Sequence, residues 1–479
     1  MSSADNAHPL APGWLTVPED NATLDPKVFT EQYARNDRGC VTVDGVSVAE
    51  MAERYGSPSY VISEDTFRSR ARGFREAFEA AFTPMGVDVE VYYASKALLN
   101  THVARWAQDE GLNVDTASGG ELEVALRAGV DPSKIALHGN NKSAAEITRA
   151  LDTGVGRIVV DSIPEIQLVA DLAQKLAVRA PIMLRVTPGV HASTHEFIAT
   201  AHEDQKFGLS LNPSVEGEDS PALQALAQCV ALREHLDLRG LHCHIGSQIF
   251  AAEGFGQAAE RVLALRETVA ERWSTVLPEL DLGGGHGVAY TSADEPRTAE
   301  SIATDLAEHL DGLLKNSELP LPHLSFEPGR FIAGPSGCTV YTVGTVKTVT
   351  VSPGVERRYV SVDGGMSDNA RPVLYDADYT AVLANRVSDA GPVLSRVVGK
   401  HCESGDIVVR DVYLPADVSA GDLLVVPVTG AYCWALSSNY NWLTRPGMIS
   451  VDAQGQVQVL IRAETVDDLL ARDTGASAE

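Results

Sequence analysis

Side chains that could do chemistry follow a series of short apolar runs in the middle of the sequence. The first run, EVYYASK, is built like a buried strand yet delivers the amine of Lys96. The ends of the later runs carry carboxylates, imidazoles, arginines and a glycine run: Asp115 and Ser118, His138, Arg185, His242, His244 and Ser247, Gly283–Gly285, and Glu327 with Arg330. An amine can bind an aldehyde covalently, carboxylates and imidazoles can move protons, and glycine amides can bind an anion. Each residue alone has a structural or solvated explanation, but their succession predicts a catalytic site.

The spacing of these runs predicts the elements that position the side chains. Strand-like runs end at Lys96, Ser118, Asn140, Ser162 and Val186, in nearly equal steps along the chain. Amphipathic stretches such as GELEVALRAG lie between them and close on a glycine, as capped helices do. This alternation is typical of parallel βα units. We therefore expect the polar strand ends to meet at one edge.

Further runs bring the strand count to about eight or nine, which is enough to close a (β/α)8 barrel of roughly 250 residues. They are SYVIS (59–63), RGLHCHIGS (239–247), PELDLGGG (278–285) and HLSFEPGR (323–330). We expect the barrel to span residues 57–334, with an insertion in HASTHEFIATAHEDQKFGLS (191–210).

The pattern of apolar and turn-forming residues changes after the barrel region. Runs such as GCTVYTVGTVKTV and DLLVVPVTG, separated by turn signals, predict an antiparallel β-domain over residues 335–479. Residues 1–56 lack the regular alternation of strand and helix patterns that predicts the barrel, so we expect this N-terminal segment to join the β-domain. The predicted fold is thus α/β plus β, a TIM-type barrel followed by an antiparallel β-domain.

The composition of the sequence argues against several classes of protein. The 479 residues carry a formal net charge of -27 and show no basic cluster, which argues against a nucleic-acid partner. The six cysteines are scattered without a CxxC spacing, as reduced thiols are, so we expect neither disulfides nor a metal site. No secretory signal is evident at MSSADNAHPLAPGWL, and no apolar run reaches the ~18 residues that a membrane span needs. We expect a soluble, cytoplasmic protein with no membrane partner.

The strand-end residues together predict a cofactor. The triple glycine in LDLGGGHG, with Ser247 and Arg330 at nearby strand ends, is suited to a phosphate, whereas P-loop and dinucleotide fingerprints are absent from the sequence. A phosphate site beside a strand-end lysine on a barrel favours pyridoxal 5'-phosphate (PLP), with Lys96 binding the aldehyde. Glu327 would then face the pyridine nitrogen and keep it protonated, and His244 would stack on the ring.

The sequence resembles the fold-type III PLP-dependent decarboxylases, and within them the branch that acts on meso-2,6-diaminopimelate. The resemblance covers roughly residues 30 to 470 and rests on several blocks in order: YYASKA, NVDTASGGEL, HGNNKS, HEDQKFGLS, HCHIGSQ, DLGGGHG, EPGRFIAGP, DGGMSDNARPVLYDA, KHCESGD and GAYCWALSSNYN. It implies a barrel followed by a β-domain, and decarboxylation that yields L-lysine and CO2 in lysine biosynthesis.

The resemblance also implies residue roles. Cofactor contacts would come from Lys96, His244, Ser247, Gly284, Gly285, Glu327, Pro328, Gly329, Arg330 and Tyr432, and we expect Asp115 and His138 beside the cofactor. Substrate contacts would come from Arg330, Arg371, Tyr375, Glu403 and Tyr432. Cys402 would be the proton donor, and the catalytic set would be Lys96, Cys402 and His244. In this family the partner subunit supplies Cys402 and Glu403, so a homodimer with shared active sites is implied.

Three alternatives remain at this stage. A decarboxylase of the same fold could act on ornithine, lysine, arginine or carboxynorspermidine; a substrate without a distal carboxylate would leave Arg371 buried and unpaired, which is costly. An alanine racemase shares the barrel and β-domain, but it needs a cation rather than Glu327 at the pyridine nitrogen. A PLP carrier or regulatory homologue without turnover would lack the second domain, Lys96 or Cys402.

Overall fold

The computed structural model describes residues 8–189, 205–250 and 253–476. The chain divides into two compact units. The β-rich unit comprises Met1–Phe67, Val288–Pro296 and Ile332–Glu479, and the barrel unit comprises Arg68–Gly287 and Arg297–Phe331.

The N-terminal segment forms a small antiparallel sheet of its own. The sheet consists of β1 (Tyr33–Arg35), β2 (Val41–Val43) and β3 (Val46–Ser47). Helix α1 (Val48–Tyr55) and then β4 (Ser59–Ser63) follow it along the chain. The amide of Val41 donates to the carbonyl of Ala384 at 2.7 Å, which ties this sheet to the β-rich unit. The expected contribution of the N-terminal segment to the β-domain is confirmed.

A closed parallel barrel follows helix α2 (Glu64–Phe82). Its strands are β5 (Val89–Ala94), β6 (Asn113–Thr116), β7 (Ile135–Leu137), β8 (Arg157–Val160) and β9 (Ala180–Thr187), then β11 (Leu236–His242), β12 (Glu279–Asp281) and β13 (His323–Phe326), while β10 (Leu209–Ser210) pairs with the edge of β9. The hydrogen-bonded order is β9-β11-β12-β13-β5-β6-β7-β8, and the pairing of β8 with β9 closes the ring. Every residue of β6, β7 and β8 is buried, as expected for parallel strands covered on both faces.

Helices alternate with these strands as the sequence rhythm predicts. They are α3 (Thr101–Asp109), α4 (Gly119–Ala128), α5 (Ala144–Thr153), α6 (Ile163–Leu176), α7 (Pro221–Ala231), α8 (Glu253–Trp273), α9 (Ala299–Asn316) and α10 (Arg330–Ser336). Local signals set their ends: Ser143 and Glu146 form a capping box at the start of α5, and Gly154 ends it in the left-handed conformation. Of the predicted insertion, residues 190–204 lie outside the described residues.

The run SYVIS (59–63) is not a barrel strand, and our assignment of it to the barrel was wrong. As β4 it pairs in antiparallel fashion with the strand that begins at Gly337 and in parallel fashion with the strand Gly447–Val451. All five residues of β4 are buried. A short buried run therefore looks the same in either sheet, and the sequence alone does not identify its partner.

The β-rich unit is mainly antiparallel, as predicted. It contains β14 (Gly337–Ser352), β15 (Val355–Val362), β16 (Val382–Leu383), β17 (Pro392–Val398), β18 (Ile407–Pro415), β19 (Leu423–Pro427), β20 (Gly447–Val451) and β21 (Val457–Ile461), with helices α11 (Arg371–Tyr375) and α12 (Val466–Leu470). The main path of the sheet is β18-β17-β15-β14-β4-β20-β21, and its two parallel pairs are β15 with β17 and β4 with β20. None of the described helices is both long and apolar enough to cross a membrane.

Candidate active site

The carboxyl ends of the barrel strands bring most of the predicted residues into one cluster. Lys96 lies in a short 3-10 turn (Ser95–Ala97) directly after β5; its two neighbours are buried while its own side chain is exposed. The Lys96 ammonium is close enough to Glu327 and Asp115 to oppose the rise in the pKa of both carboxyl groups. The amine from the first strand end therefore lies beside the carboxylates from two other strands.

Glu327, directly after β13, is the centre of the buried part of this cluster. Its Oε1 lies 3.0 Å from Nε2 of His242 and 3.5 Å from Nε2 of His138. The same nitrogen of His138 lies 3.1 Å from Oδ1 of Asp115. The carboxylate and imidazole side chains of the cluster thus come from four different strands.

One oxygen of this buried carboxylate lacks a properly aligned donor. The approach of His242 to Glu327 is close but not aligned, and among the described residues neither Oε1 of Glu327 nor either ring nitrogen of His242 has a hydrogen-bond partner. Buried polar atoms are normally hydrogen-bonded, and exceptions call for an explanation. Oε1 of Glu327 is thus available to an N–H donor from a bound molecule.

Burial controls the protonation of this cluster. The pKa of Glu327 is raised to about 7, first by burial and then by Asp115, while His138 and Lys96 act in the opposite direction. Burial lowers the pKa of His138 to about 4 and holds the pKa of His242 well below its usual range. Near neutral pH both imidazoles are therefore neutral, whereas Glu327 is close to the midpoint of its titration.

A buried arginine inside the barrel supports the cluster. The guanidinium of Arg157, only 2% exposed, lies 3.1 Å from Asp281 and 4.0 Å from the centre of the Tyr92 ring. Burial and then the neighbouring Glu327 raise the pKa of Asp281, while His242 and Arg157 oppose the rise. Arg157 therefore provides positive charge on the inner side of the carboxylate cluster.

The glycine run holds the neighbouring strand ends together at very short range. Gly283 adopts φ +70, and its carbonyl accepts from the amide of Glu327 at 2.9 Å. A Cβ on Gly284 would lie 2.0 Å from the carbonyl oxygen of Glu327, and a Cβ on Gly285 would lie 2.3 Å from that of Gly246. Larger residues are therefore excluded from this turn.

The same turn orients the predicted ring-stacking residue. The amide of Gly284 donates to Nδ1 of His244 at 3.1 Å. Because Nδ1 accepts this hydrogen bond, a neutral His244 carries its proton on Nε2. Burial, followed by the charge of Lys96, holds the pKa of His244 well below its usual range. The ring is thus fixed by the backbone and is neutral.

Two groups that could bind an anion lie beyond the ends of β11 and β13, which β12 separates in the ring. Nη2 of Arg330 donates to Oγ of Ser247 at 2.9 Å, and Arg330 is 6% exposed. Pro328 and Gly329 precede this arginine, and a Cβ on Gly329 would lie 3.0 Å from the carbonyl oxygen of Ala94. The EPGR segment therefore packs closely against the strand that leads to Lys96.

The remaining predicted residues belong to the β-rich unit. Arg371, at the start of α11, is 6% exposed; it donates to the hydroxyl of Tyr379 and lies 4.3 Å from the centre of the Tyr290 ring. Within the described residues Arg371 has no carboxylate partner. Tyr375 ends the same helix, and the side chain of Tyr432 is half-buried on a left-handed backbone (φ +66).

Cys402 and Glu403 lie on an exposed loop between β17 and β18. Cys402 is exposed, whereas the other five cysteines are buried, and none of the six, all of them described residues, forms a disulfide. The structure thus distinguishes Cys402 from the buried apolar thiols that most cysteines are.

The sequence assigns no role to several residues that contribute to the cluster. His242 is among the strand-end side chains that predict a site, but no specific function follows from its motif, HCHIGS. Arg157 begins β8 and Tyr379 lies in a loop, so neither follows a strand end. Their places depend on tertiary contacts that no local pattern indicates.

The residues fit PLP. The unpaired Oε1 of Glu327 can accept from a protonated pyridine nitrogen, Lys96 can bind an aldehyde, and Ser247 with Arg330 can bind a phosphate. His138, His242 and Glu327 also offer ligand atoms within 4.8 Å of one another, a spacing compatible with a metal ion. Our expectation of no metal stays a prediction.

Comparison with known proteins agrees with this chemistry. Residues 65–334 match the family model described as "Pyridoxal-dependent decarboxylase, pyridoxal binding domain". The diaminopimelate decarboxylase of Mycobacterium tuberculosis is 48% identical over 452 residues, 94% of this chain and 98% of that protein. The enzyme of the same name from Bacillus subtilis is 41% identical over 439 residues, 92% of this chain and 96% of that protein.

A solved structure shares the same fold. The crystal structure of diaminopimelate decarboxylase from M. jannaschii in complex with L-lysine superimposes with a TM-score of 0.84 at 29% identity, covering 92% of this chain and 98% of that chain. With its barrel, its strand-end lysine and glutamate, and relatives that match nearly end to end, the chain belongs to the diaminopimelate decarboxylase family, carbon–carbon lyases that use PLP.

Proposed function

We propose that this chain decarboxylates meso-2,6-diaminopimelate to L-lysine and CO2. The observation that carries the proposal is the buried Glu327 carboxylate, whose free oxygen lies among strand ends that also supply Lys96. The names of the relatives support the substrate, and one relative was solved with L-lysine, the expected product.

The cofactor supplies the electron sink: when bound, PLP has a ring that accepts the electron pair left on the substrate Cα as CO2 departs. In our proposal Lys96 binds the aldehyde and Glu327 holds a proton on the ring nitrogen. His244, fixed by the amide of Gly284, packs on the ring face. Ser247 and Arg330 bind the phosphate, with Gly285 allowing the backbone to come close.

Two residues of the exposed loop complete the reaction in this proposal. Cys402 donates its thiol proton to the Cα that has lost its carboxylate, and Glu403 binds the distal ammonium. The exposure of both side chains supports donation to a second copy of the chain, as the family resemblance implies. We therefore propose a homodimer with shared active sites.

Substrate selection is proposed to depend on Arg371. Its guanidinium is buried without a carboxylate partner among the described residues, and an unpaired buried charge is costly. The distal carboxylate of diaminopimelate would pair with it, with help from Tyr375 and Tyr432, whereas ornithine has no such group. This favours diaminopimelate over the diamine precursors.

A direct assay tests the reaction. CO2 release is measured with PLP present on diaminopimelate, ornithine, lysine, arginine and carboxynorspermidine, and only diaminopimelate is expected to turn over. Lys96→Ala should lose both turnover and the visible absorbance of bound cofactor, while Lys134→Ala, an exposed control, should keep both. Borohydride reduction followed by peptide mapping should place the cofactor on Lys96. A label on another lysine would contradict the assignment.

A mixing experiment tests the shared site. Lys96→Ala and Cys402→Ala subunits are each expected to be nearly inactive, but half of their randomly mixed dimers contain one intact site. The mixture should recover about a quarter of the wild-type activity. Recovery of none would show that both residues act within one subunit.

A further inference from the structure

The loop that carries Cys402 is held by an ordered hydrogen-bond array in the β-rich unit. His401 precedes the exposed cysteine yet is itself only 7% exposed. The array joins three separate segments: 364–368, 399–406 and 438–442. The thiol of Cys402 is thus exposed, but the backbone that carries it is held in place by buried hydrogen bonds.

The donors and acceptors in the array fix the tautomer of His401. The amide N–H of Ser367 donates to Nε2 of His401 at 3.3 Å, and Oγ of the same serine lies 2.9 Å from that nitrogen. A backbone N–H can only donate, so Nε2 is the acceptor and the neutral ring carries its proton on Nδ1. Nδ1 lies 3.3 Å from Oδ1 of Asn441 and therefore donates to it.

The same oxygen of Asn441 holds the backbone of the cysteine. The amide N–H of Cys402 donates to Oδ1 of Asn441 at 3.0 Å. Because this amide can only donate, it independently places the oxygen, not the nitrogen, of the Asn441 side chain on this side. One carbonyl oxygen thus accepts from both His401 and Cys402.

The backbone conformation of Asn441 is one that residues other than glycine adopt only at a cost in free energy. Its backbone is left-handed, with φ +51, and Trp442 follows with φ +58. Non-glycine residues rarely adopt this conformation, although asparagine tolerates it better than most. The neighbouring Tyr440 ring stacks on His401 with centroids 5.4 Å apart at 24°. Backbone strain of this kind persists where the surroundings enforce it, often at functional sites.

The base of the loop is equally fixed. Asp406 accepts from the amide of His401 at 2.8 Å and from that of Met366 at 2.6 Å. A Cβ on Gly399 would lie 2.3 Å from the Asp406 carboxylate, so this glycine is required for the close approach. Both ends of the Lys400–Gly405 turn are therefore anchored.

We propose that Asn441 and His401 are positioning residues for Cys402. Asn441 holds the cysteine backbone through one hydrogen bond, and His401, oriented by Ser367, fixes the Asn441 oxygen. Together they set the direction from which the thiol delivers its proton to Cα. This inference rests on the proposed role of Cys402 as proton donor.

A matched pair of substitutions tests the positioning role. Asn441→Gly removes the accepting oxygen without straining the left-handed backbone, whereas Asn441→Asp keeps an accepting oxygen at the same place. We expect Asn441→Gly to lower kcat about tenfold with KM for diaminopimelate nearly unchanged, since the hydrogen bond that holds the Cys402 backbone is lost together with the one from His401. Asn441→Asp should recover most of kcat. Melting temperature and PLP affinity are followed as controls for folding.

A double-mutant cycle separates positioning from a general structural effect. If Asn441 acts through Cys402, Asn441→Gly should have no further effect on kcat in a Cys402→Ala background. The rate of Cys402 alkylation by iodoacetamide in substrate-free protein, measured by mass spectrometry, should change severalfold in Asn441→Gly and return towards wild type in Asn441→Asp. The five buried cysteines make this label selective.

The outcomes distinguish this inference from the proposed function. Full turnover by Cys402→Ala would overturn the proton-donor role and the inference with it. A strong Cys402→Ala defect, combined with wild-type alkylation and kcat in Asn441→Gly, would overturn the positioning role alone. An equal loss of kcat from Asn441→Gly in both backgrounds would also overturn it.

Discussion

Glu327→Gln is expected to stabilise the cofactor-free protein at and above neutral pH. The Glu327 pKa is about 7, raised first by burial and then by Asp115. In the unfolded chain an ordinary glutamate has a pKa of about 4.3. The folded protein therefore binds this proton more tightly than the unfolded chain, and the free energy of unfolding falls as pH rises between these two values.

The size of the effect follows from the two pKa values. Their difference corresponds to roughly 4 kcal/mol of stability, which is lost progressively as pH rises from about 4 to about 7. Glutamine fills a similar volume and does not ionise, so the variant avoids this loss. The stability advantage of Glu327→Gln should therefore already be roughly 2 kcal/mol near pH 5.5 and should grow by roughly another 2 kcal/mol by pH 8.

Urea unfolding of the cofactor-free protein, repeated from pH 5.5 to 8.5, measures this directly. Glu308→Gln is the matched control, because Glu308 is exposed on α9 of the same unit, and it should follow the wild-type profile. With PLP bound the advantage should disappear, because a protonated ring nitrogen stabilises the carboxylate. Turnover of Glu327→Gln should fall sharply.

The opposite sign in the cofactor-free protein would refute this reasoning. If Glu327→Gln were less stable than wild type at pH 8, the Glu327 carboxylate would be well satisfied in the folded barrel. Its unpaired Oε1 would then not be available to the cofactor, and the main support for the proposed role would be lost.

Three further predictions concern the substrate group, the glycine turn and the barrel interior. Arg371→Met should raise KM for diaminopimelate roughly 100-fold through loss of a charge-assisted hydrogen bond; an unchanged KM in steady-state assays would contradict the assignment. Gly284→Ala, which places a Cβ 2.0 Å from a backbone carbonyl oxygen, should weaken PLP binding in absorbance titrations, whereas Gly312→Ala, with open space in α9, should not. Arg157→Met should cost about 3–5 kcal/mol in urea unfolding by leaving Asp281 without its partner, and Asp281→Asn in the same chain should recover much of it.

The sequence predicts the barrel well because its signals are local. Each βα unit repeats a buried run, a polar strand end and a capped helix, and the predicted strand ends fall within a few residues of the observed ones. The boundary of the barrel is different. β4 satisfies the same local pattern but pairs with β14 and β20, and this choice depends on which unpaired edge is available in the folded chain.

The residues of the candidate site also differ in whether the local sequence predicts their positions. Asp115 lies near the end of its strand, and Lys96, His138 and Glu327 follow theirs, so topology alone brings these side chains together. Arg157 lies at the start of β8, and its contact with Asp281 spans the barrel interior. No spacing in the sequence indicates that pair, because the two residues are adjacent only after the ring has closed.

The charge state of this site therefore depends on tertiary structure, whereas the positions of its residues at strand ends can be predicted from the local sequence. An exposed glutamate at position 327 would be ionised at neutral pH and would need no partner. Enclosed with Asp115 and two neutral imidazoles, it is instead held near the midpoint of its titration. The barrel thus carries a destabilising carboxylate, and in our proposal the protonated ring of the cofactor would compensate its charge, which would link cofactor binding to the stability of the fold. In our proposal the same reasoning applies to Arg371, which is buried without a carboxylate partner among the described residues and would receive its counter-ion from the substrate.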